Sequence, residues 1–290
     1  MKINGVWCFV FIVIISFSFS KKKMEVLPGT IEISNNYYVD QTEIKVIDWR
    51  EYQYWNIYYT KSFSSKFDST VWRNYDKNNR DANMEDIYYS HPVYNEYPIV
   101  GITYKSALEY CKWRSDRVFE YQLIKRGILK VDKDQIGDFF TIEKYFNGTW
   151  KNIKPDYSIT YPYYSLPTMK EWLSFASGGN DLDSLPFGVK IEATKNWFGK
   201  INNDTLELGV KNNSSYYYGP SHTGYGKVNN YKLRRIIGGV SEMLIEPGIA
   251  AGGNWTKDLN YFSLKDTVNY IKPNNWLGFR CVAKYKVWTN

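Results

Sequence analysis

The chain has 290 residues, with 37 Lys and Arg against 30 Asp and Glu, three Cys and two His. Two histidines exclude a three-histidine metal site, three cysteines exclude a multi-finger zinc protein or a dense disulfide scaffold, and 43% apolar residues exclude wholesale disorder. The net charge of +7 is diffuse, its longest basic run being Lys21-Lys22-Lys23, and no nucleic-acid-binding signature accompanies it, so no nucleic-acid partner is expected.

Residues 1–20 read as an export signal. Lys2 is a short positive head, Val6 to Ile15 is an apolar run, and Ser18 and Ser20 supply the small side chains of a cleavage site before Lys21. The competing reading is an uncleaved anchor, and membrane association is expected only in that case. The run is shorter than the ~20 residues of a spanning helix, which favours cleavage. The expected location is therefore the periplasm, the cell surface or the medium. Cleavage removes Cys8 and leaves Cys111 and Cys281. In an exported protein such a pair is expected to form a disulfide, closing a loop of about 170 residues. The alternative is two separate buried thiols.

Ile31 to Ser34 and Tyr37 to Asp40 read as short strands around an Asn35-Asn36 turn. A helix from about Ile47 would put Trp49, Tyr52 and Asn56 on one side, with Asp48 in its first turn. Residues 60–97 are polar and Tyr-rich and read as a long surface connection. Tyr97 to Ile102 reads as a strand leading to a helix near Thr103, with Ala107, Cys111 and Val118 facing inward. Residues 121–163 show little apolar period. Thr168 and Glu171 form a capping-box pattern, and Gly178-Gly179 stops that helix. Residues 180–230 read as loop. Val282 to Trp288 reads as a closing strand. With 18% aromatic residues, ring burial is expected to hold a loop-rich chain together.

The order of short motifs is more specific than any one of them. It runs Tyr38-Val-Asp40-Gln-Thr-Glu43-Ile44, then Pro98-Ile-Val-Gly-Ile-Thr103 with Ala107 to Trp113. Leu166-Pro-Thr-Met-Lys-Glu171-Trp172 and Pro186-Phe-Gly188 follow. Gly238-Gly-Val-Ser-Glu242-Met, Gly252-Gly-Asn-Trp255 and Gly278-Phe-Arg280 complete it. This series resembles the sulfatase-modifying-factor, or formylglycine-generating-enzyme, family. The resemblance implies an α+β fold, a loop-rich variant of the C-type-lectin-like fold with few short helices and strands. It implies a single domain over 21–290 after a signal at 1–20. It also implies an insertion at about 117–162, because family members run more directly from the Trp113 position to the Leu166 position. Family members with a cysteine at the Cys111 position commonly pair it with one at the Cys281 position.

The resemblance also sets the chemistry to be sought. The family's oxidases hold copper(I) on two cysteines shortly after the motif matched by Gly252 to Trp255. Here Trp255 is followed by Thr256, Lys257, Asp258, Asn260 and Ser263, and no cysteine comes before Cys281. Soft thiolates suit copper(I), and these side chains do not, so no copper and no catalytic residue is expected. A family branch that uses iron needs clustered histidines, whereas His91 and His222 stand apart. Another branch lacks the cysteines and is enzymatic. A family calcium site maps onto Glu242 with the Gly238 and Val240 carbonyls, although Gly239 replaces the motif's asparagine. The competing reading pairs Glu242 with Arg280 or Arg235. Trp255, Asn254 and Arg280 mark the expected cleft. The resulting expectation is an exported, non-catalytic binding or structural component with a protein partner or envelope complex. The alternative is an exported family enzyme acting on a peptide or small substrate.

Overall fold

The computed structural model describes residues 25, 27–61, 65–78, 83–132, 134–183, 220–256 and 263–289. The export signal, the Pro186-Phe-Gly188 motif and Lys257 to Phe262 lie outside them, as does most of the 180–230 stretch. Among the described residues no helix is long and apolar enough to cross a membrane.

Strands β1 (Thr30–Ser34) and β2 (Tyr37–Asp40) form a hairpin. Its turn has Asn36 at φ 59°, a left-handed conformation that asparagine tolerates. The Asn36 side chain also pairs with the chain end: its amide donates to the Tyr285 carbonyl at 2.9 Å and its oxygen accepts from the Tyr285 N–H at 2.7 Å. β2 then pairs with β8 (Val282–Lys286), and β8 with β3 (Tyr161–Ser165). The first sheet therefore runs β1-β2-β8-β3, all antiparallel. A second sheet has the order β6-β5-β4-β7, from β4 (Ser241–Met243), β5 (Ile249–Ala251), β6 (Thr267–Asn269) and β7 (Leu277–Gly278). The β4–β7 pair is parallel, setting Glu242 opposite Gly278.

Helix α1 (Val46–Trp55) begins where the Lys45 N–H donates to Asp48 Oδ2 at 3.1 Å, and it continues into a single π-helical turn, Asn56–Thr60. Trp49, Tyr52 and Asn56 face inward, as their spacing predicts. Short helices α2 (Arg73–Asn78) and α3 (Met84–Ile87) follow. Helix α4 (Tyr104–Lys125) is capped by Thr103, and α5 (Ile142–Phe146) is capped by Thr141. Helix α6 (Met169–Ala176) carries the capping box: Thr168 Oγ1 accepts from the Glu171 N–H at 3.1 Å and Glu171 Oε2 accepts from the Thr168 N–H at 3.0 Å.

Two expectations need correction. Residues 60–97 are not a surface connection, because Trp72 and Tyr88 are fully buried there and join the main aromatic core around Trp49 and Tyr110. Their polar look came from tyrosines, whose hydroxyls find partners inside: Tyr88 donates to the Pro98 carbonyl at 2.7 Å and Tyr89 to the Val100 carbonyl at 3.1 Å. Those same bonds occupy the Tyr97–Ile102 segment, which is extended but makes only an isolated bridge at Pro98, to Lys45, rather than a sheet strand. Residues 121–163, aperiodic as expected, still find a core. They close onto the second half of α4 as a separate apolar cluster of Phe119, Leu123, Phe140, Tyr145, Phe146 and Trp150. Ring edges and faces, rather than a linear period, make this cluster. Phe119 stacks on Phe146 at 5.7 Å and meets Tyr145 edge-on at 5.6 Å.

Candidate functional site

The motif residues converge where β4, β7 and the start of β8 meet α6. Glu242 points inward from β4 and is 1% exposed, and Arg280 is 0% exposed. The Arg280 Nε–H donates to Glu242 Oε1 at 2.8 Å, while the Trp172 indole N–H donates to Glu242 Oε2 at 2.9 Å. The remaining guanidinium donors reach the carbonyls of Asp40, at 2.8 Å, and Arg234, at 2.7 Å. Charge and hydrogen-bonding capacity are both matched, the condition under which a buried ion pair is tolerated. Of the two arginines considered for Glu242, Arg280 is the partner. Arg235 instead donates to the His222 carbonyl at 3.2 Å.

This arrangement does not suit calcium at Glu242. Both carboxylate oxygens accept N–H bonds, and a cation would have to displace a guanidinium that already neutralises the charge. Gly238 and Val240 are drawn into the same packing: the Gly238 N–H donates to the Gly252 carbonyl at 3.1 Å, and the Val240 N–H to Glu43 Oε1 at 2.9 Å. Gly239 sits at φ 58°, and a Cβ there would run into the Glu43 carboxylate. The space a side chain at 239 would need is taken by Glu43, which accounts for the glycine there.

Glu43 is the residue that the sequence reading underrated. It is fully buried, and burial, followed by repulsion from Glu242, pushes its carboxyl up to about 8 against the attraction of Arg280 and the Val240 N–H. The folded state holds this proton at pH values where the unfolded chain releases it. Stability from this group is therefore full below about pH 4.5 and is lost as pH rises through about 8. Thermal melts of wild type and Glu43→Gln are expected to diverge in slope between those values, the variant being the flatter; parallel curves would refute the assignment.

Asn254 and Trp255 serve the neighbouring turn. The Asn254 amide donates to Ser241 Oγ at 2.9 Å, and its oxygen accepts from the Thr256 N–H at 3.0 Å. Trp255 is half-buried, parallel to Trp72 at 6.2 Å and edge-on to Tyr75 at 5.8 Å, with its indole N–H on the Asn275 carbonyl at 3.1 Å. His222 and His91 each accept a nearby backbone N–H, from Gly224 and Val93. Among the described residues no cluster of three or more His, Cys, Asp or Glu could hold a metal ion.

Cys111 on α4 and Cys281 before β8 are both buried, with sulfurs 3.5 Å apart. The structure carries them as thiols in contact. Asp40 fixes their surroundings, accepting from the Cys281 N–H at 3.0 Å and from Arg114 of α4 at 2.8 Å. Burial, then the Cys111 contact, holds the Cys281 thiol well above its ordinary range, which opposes the thiolate that a nucleophile or a copper ligand requires.

Among solved structures, the chain is similar to CarF (16% identity, TM-score 0.47, covering 86% of each chain). It is also similar to Treponema denticola variable protein 1 (16%, 0.46, covering 89% of this chain and 92% of that one). PvdO from Pseudomonas aeruginosa is a further likeness (12%, 0.43, covering 86% and 80%). No curated protein matches the chain. The sulfatase-modifying factor enzyme 1-like domain profile matches residues 13–285. The ordered motifs, the mixed loop-rich fold and this match together place the chain in the sulfatase-modifying factor enzyme 1-like domain family.

Proposed function

We propose that this protein is an exported, non-catalytic member of the family that acts as a binding or structural component at the cell envelope or outside the cell. The observation that carries the reading is the fate of the thiols. The segment after Trp255 supplies none before Cys281, and Cys281 lies buried against Cys111, its thiol pushed away from ionisation. Glu242, the acid of the Gly238–Met243 motif, is paired with Arg280. Export rests on the apolar run and small residues before Lys21.

The test is direct. The copper-loaded protein is incubated under air with a sulfatase-type cysteine peptide, and the substrate mass is followed. No conversion above a metal-only control is expected. Turnover that disappears in Cys281→Ser would overturn the reading in favour of an exported enzyme.

A further inference from the structure

Two cavities of about 600 Å³ and 560 Å³ lie against α4. Each has the size of a small-molecule site. They share Lys112, Asp116, Thr141, Glu143 and Asn147 as common lining, and so form one two-lobed groove across the helix. Trp55, Trp113 and Phe139 line the first lobe, and Tyr161, Tyr163 and Trp288 line the second.

The rings are held in place beforehand. Trp55 meets Phe139 edge-on at 4.9 Å and carries the Arg117 guanidinium over its face at 4.8 Å. Trp288 stacks on Phe146 at 5.0 Å. Fixed aromatic anchors lower the ordering cost of binding. The floor between them mixes both charges with a hydroxyl and an amide. Asp116, 7% exposed, gives one oxygen to the Ile142 N–H at 2.8 Å. Burial pushes its carboxyl up to about 6, leaving it an acceptor at neutral pH.

We propose that this groove binds a neutral oligosaccharide, with sugar faces on the ring clusters at the two ends and hydroxyls on the polar floor between them. This names a ligand class for the binding role proposed above and rests on that reading. A polyanion would meet Asp116 and Glu143, and a polycation would meet Lys112. An acyl chain would strip the floor of water and leave its polar groups unpaired. A sugar chain offers apolar C–H faces, together with hydroxyls that both donate and accept. A peptide strand fits less well, because the strand bordering the groove, β3, has its Tyr164 N–H already given to Ser115 Oγ at 2.9 Å, which blocks strand addition at that point. Tyr161 and Trp288 of the second lobe pack against the Phe119–Tyr145–Phe146 cluster, from the segment expected to be an insertion.

The probes are cellotetraose, maltotetraose and tetra-N-acetylchitotetraose, with a Gly-Ser pentapeptide for comparison. Each is titrated into the intact protein by tryptophan fluorescence and by saturation-transfer NMR. At least one tetrasaccharide is expected to bind saturably and to lose tenfold or more in affinity in Trp55→Ala and in Tyr163→Ala. Tyr163 is 40% exposed, so its variant keeps the test valid if Trp55→Ala misfolds. No saccharide binding, binding indifferent to both substitutions, or preference for the peptide overturns the proposal. Those failures leave the non-catalytic reading in place, since that reading falls only to peptide turnover.

Discussion

Arg280→Met is expected to cost about 3–5 kcal/mol, the penalty for removing one partner of a buried ion pair, and so to consume a large part of the stability of a typical domain. The cause is what remains behind. Glu242 would be left charged at 1% exposure, beside Glu43 and without its counter-ion. The Asp40 and Arg234 carbonyls would lose their donors too. Arg280→Lys is expected to recover little, because one ammonium cannot reach three acceptors set by a planar fork. Urea unfolding monitored by tryptophan fluorescence measures both variants.

Oxidation of the protein is expected to link Cys111 and Cys281. The sulfurs are already in contact, and closing a loop of about 170 residues stabilises by about 5 kcal/mol in the chain-entropy description. Reduction should then lower the melting temperature by roughly 10 °C for a domain of this size. Intact mass checks the bond itself: a gain of two hydrogens on reduction is expected, and free labelling of both thiols without denaturant would contradict it. The buried position of both residues means that labelling requires opening of the core, so oxidised protein should stay unlabelled until denatured.

Local signals carried part of the fold. The hairpin turn at Asn35-Asn36, the capping box at Thr168 and Glu171, and the helix stop at Gly178-Gly179 depend on neighbouring residues and could be read directly. Gly178 and Gly179 do adopt positive φ. The burial of Trp72 and Tyr88 could not be read that way, since it depends on carbonyls of Pro98 and Val100 that the chain brings near only after folding. The Phe119–Phe146–Trp150 cluster was hidden for a related reason: its rings come from α4, α5 and the loops beside them, and share no period. In the site, Glu242 and Arg280 were visible as motif residues, but their pairing depends on the parallel β4–β7 contact between distant segments. The clue to Glu43 was the glycine at 239, whose missing side chain leaves room for that carboxylate.

The central claim is that the acid of the family motif serves as a structural ion pair in this chain. A double-mutant cycle on Glu242→Gln and Arg280→Met, followed by urea unfolding, measures that pairing directly. The account predicts that each single variant is strongly destabilised and that the double variant is more stable than the sum of the two losses implies, by about 2 kcal/mol or more. Additive losses, or a Glu242→Gln protein as stable as wild type, would contradict it.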